Sequence, residues 1–204
     1  MKSAPKKVKT KPRPAEILYD MRKSVSEILG RPFTEKIDHQ IFNPDQRVLA
    51  LWAADCAEHV LAYFEDKYSE DDRPRKAILL LREWIRTGAF NMKIIREASL
   101  TAHAAAKGRK EQDAVFAAHA AGQALGTAHV PTHAFGSSAY GMRAAGAHSD
   151  NAYDGFVRER NWQLQCLRRY AKRSTTQSSH VEPLVTRGTS VTSRPENSTS
   201  KFDH

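Results

Sequence analysis

Apolar residues recur at the three- and four-residue spacing of an α-helix along most of residues 15–172. No stretch alternates apolar and polar residues as a half-buried strand does. Glycine and proline fall between the periodic stretches, where short connections between packed helices need them. The sequence therefore predicts an all-α fold, a single compact bundle of about six to seven helices with its main domain at residues 34–172.

Start and stop residues place the individual helices. A first helix and its linker are expected within residues 15–33, with Gly30 ending the helix. Asn43 is a suitable cap for a second helix, which we expect to be buried on nearly all sides and to run to about Tyr68. Further helices are expected at residues 74–88, 92–107, 111–129, 132–148 and 151–170. Pro131 lacks a backbone N–H, so the chain should break or kink sharply there.

The net charge of +9 is concentrated at the ends of the chain. Residues 1–14 contain six Lys or Arg, three Pro and no acidic residue, which is typical of a disordered basic arm. Residues 173–204 are rich in Ser and Thr, and we expect a disordered tail there. Residues 15–172 contain 22 basic and 20 acidic side chains. Nucleic acid is therefore expected to be attracted only weakly, through the arm.

Cysteine content and hydropathy indicate the compartment. Cys56 and Cys166 lie far apart and form no CxxC motif, so a reduced, cytoplasmic location is the expectation. No apolar run approaches the roughly 18–20 residues of a membrane span. The chain contains no phosphate-binding, dinucleotide-binding or hydrolase motif. We therefore predict no membrane association and no cofactor.

One group of polar residues lies within the apolar arc of the second predicted helix. Asp55 and His59 are four residues apart and share a face with Trp52 and Tyr63. A buried carboxylate beside an imidazole fixes its tautomer or raises its pKa, which is how acid–base sites are built. The same pair is also typical of a structural contact that fixes helix packing.

A second group follows the fifth and sixth predicted helices. Its members alternate at spacings of three and four, so they share one face if the helix axis continues through Pro131. They are His119, Gly122, Gly126, His129, His133, Gly136 and Tyr140. Glycine allows two helices to approach closely, and buried histidines need hydrogen-bond partners. We expect a close-packed polar seam, and His103 is a further candidate member.

A metal site is the alternative use of these side chains. His129 and His133 are separated by one helical turn, as paired zinc-binding histidines are. Zinc needs three or four ligands, and His59 and Asp55 are candidates for the remaining positions.

A run of acidic residues falls at a predicted helix end and linker. Its members are Glu65, Asp66, Glu70, Asp71 and Asp72. Such a run is either a solvated helix boundary or an anionic face for a basic protein partner.

Several segments resemble one known family in the same order along the chain. They are Leu49 to His59 (LALWAADCAEH), Asp71 to Arg75 (DDRPR), Ala117 to Gln123 (AAHAAGQ), Thr127 to His133 (TAHVPTH) and Glu159 to Gln163 (ERNWQ). Together they are similar to the putative immunity protein family, also called Imm-5-like, over about residues 40–170. The resemblance implies an all-helical fold and a role in bacterial toxin–immunity systems, in which the protein binds a cognate toxin and blocks it.

The sequence therefore supports two functional hypotheses. The first is a non-enzymatic binding protein whose partner is a toxin. The second is a metal-binding or hydrolytic helical protein that uses a buried His/Asp cluster. The residues on which the two hypotheses depend are Trp52, Asp55, His59, His103, His119, His129, His133 and Tyr140.

Overall fold

The computed structural model describes residues 11–30 and 44–178, with side chains for residues 11–30 and 46–172. The helical segments are α1 (Pro14–Leu29), α2 (Pro44–His59), α3 (Ala62–Glu65), α4 (Arg73–Thr87), α5 (Met92–Ala104), α6 (Gln112–Gly126), α7 (His133–His148) and α8 (Ala152–Ser178). Seven of them are three turns or longer, and α3 is a single turn. The described residues contain no strand, so the predicted all-α bundle of six to seven helices is confirmed.

Three helix ends follow the residues that predicted them. Gly30 and Gly88 end α1 and α4 in the left-handed conformation, with φ of 71° and 70°. The side chain of Asn91 accepts a hydrogen bond from the backbone N–H of Ile94 and so caps α5. The predicted Asn43 cap, most of the basic arm, the linker and the tail beyond Ser178 lie outside the described residues.

The second predicted helix is interrupted before Tyr68. The α-helical hydrogen bonding of α2 ends at His59, and Leu61 N–H donates to the carbonyl of Glu58 instead. Tyr63 N–H, at the second residue of α3, likewise donates three residues back, to the carbonyl of Val60. This tightening keeps Val60, Leu61 and Phe64 fully buried. The apolar periodicity of the sequence did not reveal this interruption, because the predicted helix has apolar side chains on nearly all of its sides.

Helix α6 lies at the centre and packs against α2, α3, α4, α5 and α7. Its buried positions are mostly alanine and glycine, and small side chains let neighbouring helix axes come close. The predicted break at Pro131 is confirmed, since α6 ends at Gly126 and α7 starts at His133. The buried side chain of Gln46 closes this turn by donating to the carbonyls of Thr127 and Ala128, at 2.9 and 3.0 Å.

Helix α8 is the longest element, with 27 residues, and packs against α1, α2 and α7. It continues to Ser178, beyond the end near Tyr170 that its apolar pattern indicates. Among the described residues, no helix combines the length and the apolar character needed to cross a membrane.

Candidate functional site

Asp55 and His59 face different partners despite their shared helix face. Asp55 is half-buried and accepts hydrogen bonds from Arg82 Nη2 at 3.0 Å, Tyr170 Oη at 2.6 Å and Cys166 Sγ at 3.2 Å. It therefore ties α2 to both α4 and α8. Trp52 is fully buried and its indole N–H donates to the carbonyl of Gln163 at 2.9 Å. These contacts fit the packing role that was one interpretation of the pair.

His59 turns away from Asp55 and contacts α8. Its Nδ1 lies 2.7 Å from Glu159 Oε2, and its ring stacks on the Trp162 indole at 3.7 Å with a 4° angle between the planes. Glu159 is only 3% exposed, whereas the His59 side chain is 39% exposed. The expected burial of His59 is therefore wrong: the carboxylate is inside, and the imidazole forms part of the surface.

A second imidazole–carboxylate pair has the same organisation. His148 Nδ1 lies 2.9 Å from Asp113 Oδ2, and the His148 ring stacks on Tyr63 at 4.0 Å with a 15° angle. The side chain of His148 is 50% exposed and that of Asp113 is 10% exposed. Lys67 Nζ also donates to Asp113, at 2.7 Å, and to the Tyr63 carbonyl, at 3.3 Å.

Tyr63 stacks on His148 and lies near enough to Glu159 to be affected by its charge, so it is close to both pairs. Burial raises the pKa of its hydroxyl, and the nearby charges of Glu159 and Asp113 raise it further. We call the surface formed by His59, Tyr63, His148 and Trp162, with the two carboxylates beneath it, the imidazole surface. Each histidine donates its Nδ1–H to a carboxylate, which leaves Nε2 as the remaining hydrogen-bonding atom of the ring. Flat rings are thus held in fixed orientations at an accessible surface.

The glycine–histidine stripe forms the interface of a helical hairpin. The helix axis does not continue through Pro131, as the predicted break requires, and α7 instead packs back along α6. His119 contacts the ring of Tyr140 at 5.0 Å, and a Cβ added at Gly126 would lie 2.9 Å from His133. The end of α6 thus meets the start of α7 and the two helix centres meet, while Asp113 at the start of α6 contacts His148 at the end of α7. The stripe residues do share a polar seam, but they do so across two antiparallel helices.

Helix α5 adds His103 to this seam. His103 Nδ1 lies 2.8 Å from His119 Nδ1, so one ring donates and the other accepts. Burial lowers the pKa of His103 to about 4, with smaller contributions from His119 and His133. Burial also lowers the pKa values of His119 and His133. A Cβ at Gly122 would lie 2.7 Å from the His103 ring, so this approach requires glycine.

His133 completes the seam through an amide. Its Nδ1–H donates to Gln123 Oε1 at 2.6 Å. The rings of His133 and His129 lie 5.1 Å apart and are tilted by 46°. The imidazoles of the seam therefore contact one another and neutral polar groups, as expected of a packed interface.

The candidate metal ligands do not assemble. His59 pairs with Glu159, Asp55 pairs with Arg82, and His133 pairs with Gln123. Within the described part of the chain, no group of three or more His, Cys, Asp or Glu side chains is placed to hold a metal ion. In the described structure, His129, His133, His59 and Asp55 are thus not brought together as one set of ligands.

The two cysteine thiols are poor nucleophiles. Burial raises the pKa of Cys56 well above its ordinary value, and burial together with Asp55 raises that of Cys166 to about 11. Since the thiolate is the reactive form, both remain protonated near neutral pH. The hydrolytic alternative gains no support from them.

Arginines of the same molecule neutralise much of the acidic run. Arg75 forms a two-pronged ion pair with Glu65, at 2.5 and 2.8 Å. Arg73 does the same with Asp71, at 2.6 and 2.7 Å, and its hydrogen bonds lower the pKa of Asp71 to about 2. Lys76 pairs with Asp72 at 2.9 Å, while Asp66 and Glu70 are exposed. The run thus holds α3 and α4 together more than it offers an anionic face.

Sequence reasoning missed four participants in the imidazole surface, namely Asp113, His148, Glu159 and Trp162. Their partners are at least 35 residues away, so no local spacing reveals the contacts. One signal was available in the ERNWQ segment, because Glu159, Trp162 and Gln163 fall on one helical face at spacings of three and four. All three contact α2. Glu159 and Trp162 contact His59, and the backbone carbonyl of Gln163 accepts from Trp52.

Comparison with known proteins gives one match. The sequence model of the "Imm-5 like putative immunity protein" family matches residues 39–170. The chain belongs to this family. The matched segment contains every residue of the imidazole surface and of the seam, whereas α1 precedes it. No curated protein and no solved structure shows significant similarity to the chain.

Proposed function

We propose that this Imm-5-like protein is a non-enzymatic immunity protein, which binds a cognate toxin and blocks it. The observation that carries the proposal is the family match, which covers nearly all of the described bundle except α1. The unassembled metal ligands and protonated thiols favour binding over catalysis.

The imidazole surface is the toxin-binding site in this proposal. Trp and Tyr are enriched among the residues that dominate binding energy, and here Trp162 and Tyr63 each lie against an exposed imidazole. Stacking and the bonds to Glu159 and Asp113 fix both rings before a partner arrives. Fixing them in advance reduces the entropy lost on binding.

The burial of Glu159 also supports a role for this residue beyond packing. A carboxylate that is 3% exposed is costly to desolvate, and an apolar side chain of similar volume is often as stabilising. Besides accepting from the buried Gln163 amide at 2.9 Å, the carboxylate gives His59 a defined orientation at the surface. A binding site has a use for that orientation, whereas a packed core does not.

The experiment co-expresses this protein with each toxin candidate encoded beside its gene in the source genome. We expect one candidate to lose its toxicity and to form a complex measurable by calorimetry. In His59→Asn and His148→Asn, the amide N–H can still donate to Glu159 or Asp113, but most of the ring is absent. Each substitution should weaken binding at least tenfold, about 1.4 kcal/mol.

Tyr19→Ala is the matched control, since Tyr19 is an aromatic side chain on α1 that is 78% exposed and outside the family match. It should leave the affinity unchanged. If no neighbouring toxin is neutralised, the immunity role is wrong. If a toxin is neutralised equally by the wild type and both Asn variants, the role stands and the imidazole surface is the wrong site.

A further inference from the structure

A cavity of about 360 Å³ lies between α1, α6 and α7, away from the contacts that define the imidazole surface. Its volume falls within the range of small-molecule sites in proteins, roughly 300–1,000 Å³. Helix α1 supplies one wall and α7 most of the other. The cavity thus combines residues of the family domain with a helix that precedes it.

The charge of the lining favours an anion. Among the lining residues that the structure describes, Arg22 carries the one full charge and none is a carboxylate. The guanidinium carbon of Arg22 lies 5.1 Å from the centre of the Phe135 ring, within cation–π distance. This contact directs the cation to the cavity wall, where it can pair with a carboxylate through two parallel hydrogen bonds.

A fixed polar pair lies at the same cavity. Gln123 Oε1 accepts from His133 Nδ1–H at 2.6 Å, so the amide nitrogen of Gln123 remains as a donor. The absence of a side chain at Gly136 makes room for Gln123, and that at Gly126 makes room for His133. Burial lowers the pKa of His133, so its ring stays neutral near pH 7 and does not add a second cation.

The rest of the lining is mostly apolar. Leu18 and Met21 approach from α1, and Phe135 and Met142 approach from α7. Such flat and flexible apolar side chains pack well against an aromatic ring. The lining therefore offers one cation, one amide donor and a group of apolar side chains, with the hydroxyl-bearing residues Thr132 and Ser138 beside them.

We propose that this cavity binds a small aromatic carboxylate, with its carboxylate at Arg22 and Gln123 and its ring among the apolar side chains. This site is separate from the toxin-binding role and does not depend on it. A bound acid bridges α1 to α7, so it should also hold α1 more firmly against the bundle.

Indole-3-acetate is the probe, and indole-3-acetamide, of the same shape without the charge, is its matched control. Calorimetry on the full chain should give saturable binding of the acid with a Kd below about 1 mM and at least tenfold weaker binding of the amide. Hydrogen exchange of the α1 amides should slow when the acid is present.

Variants test the named contacts. Arg22→Met keeps an unbranched, flexible side chain but removes the guanidinium, and it should weaken acid binding at least tenfold. Lys23→Met, at the next residue of α1 and outside the lining, should not. Ala139→Leu fills the cavity and should abolish binding. The proposal is overturned if the acid does not bind at up to about 10 mM, if the amide binds equally well, or if Arg22→Met binds like the wild type.

Discussion

At the scale of single residues, Glu159 makes the most consequential contacts. It accepts a hydrogen bond from His59 at 2.7 Å and another from the buried Gln163 amide at 2.9 Å. Glu159→Ala removes both bonds and leaves one N–H of the buried Gln163 amide without an acceptor, while the other still donates to the Ser138 carbonyl. We expect the free energy of unfolding to fall by about 2–4 kcal/mol, measured by urea denaturation.

Glu97→Ala is the control for this loss, because Glu97 is an exposed glutamate on α5. Its removal should change the free energy of unfolding by less than about 0.5 kcal/mol. Equal effects of the two substitutions would show that the buried carboxylate does not anchor α8. Glu159→Gln should fall between them, since its amide oxygen can still accept one of the two bonds.

At the scale of elements, the corner between α7 and α8 depends on a glycine. A Cβ at Gly155 would lie 2.5 Å from the backbone carbonyl oxygen of Ala145 and would also collide with the Ser149 side chain. Helix propensity alone favours alanine over glycine by about 1 kcal/mol. The clash with backbone should outweigh it, so we expect Gly155→Ala to lower the free energy of unfolding by about 1–3 kcal/mol.

Ala147→Gly provides the comparison, since Ala147 is an exposed position of α7 where only propensity acts. It should cost about 1 kcal/mol. If Gly155→Ala instead stabilised the protein by a similar amount, the α7–α8 contact would not be as close as the geometry indicates. Denaturant midpoints of the two variants at constant slope distinguish these results.

Helices were predictable from the sequence to the extent that local residues determine them. Gly30, Gly88 and Asn91 act within one turn of the helices they bound, and Pro131 blocks a helix by its own covalent structure. The break after His59 was not predictable, because a tightened turn with Val60 and Leu61 inside has the same apolar pattern as a continuous helix. The extension of α8 to Ser178 was missed because its last turns carry no apolar signal.

The candidate site was less predictable, because its contacts join distant residues. The four-residue spacing grouped Asp55 with His59. In the structure, Asp55 contacts Arg82 on α4 and His59 contacts Glu159 on α8, and no local sequence rule identifies these partners. The stripe from His119 to Tyr140 was grouped on the condition that the helix axis continues through Pro131, yet its residues meet although the axis breaks there. Spacings of three and four also place residues face to face when a helix breaks and returns antiparallel, provided that the turn is short.

At the scale of the whole molecule, the charge distribution determines which groups control acid stability. Residues 15–172 are nearly neutral overall, so net repulsion contributes little near pH 7. What remains are individual groups with shifted pKa values. The carboxyl of Asp71, at about 2, loses its contribution only as the pH falls below its ordinary value of 3.8. The imidazoles of the seam affect stability at a higher pH, in a range separate from that of Asp71.

The seam should make stability fall as the pH drops from about 6.5 to about 4. Over this range the unfolded chain takes up a proton at His103, whereas the folded protein keeps that ring neutral until its pKa of about 4. Protonation therefore favours unfolding, and the loss stops growing below the folded pKa. Allowing for partial solvent screening, His103 should account for about 2 kcal/mol of the change. His119 and His133, whose pKa values are also lowered, add in the same direction.

Urea denaturation at a series of pH values measures this dependence. In His103→Gln the new side chain can still bond His119 but cannot take up a proton, so the slope of stability against pH should decrease between pH 6.5 and 4. Arg96→Gln removes an exposed cation from the same helix and should leave that slope unchanged. An equal slope in His103→Gln and the wild type would mean that His103 is not the buried neutral imidazole that joins α5 to α6. The ring of His103 is where α5 contacts the α6–α7 hairpin. The same substitution therefore tests both the lowered pKa of His103 and the burial between helices that lowers it.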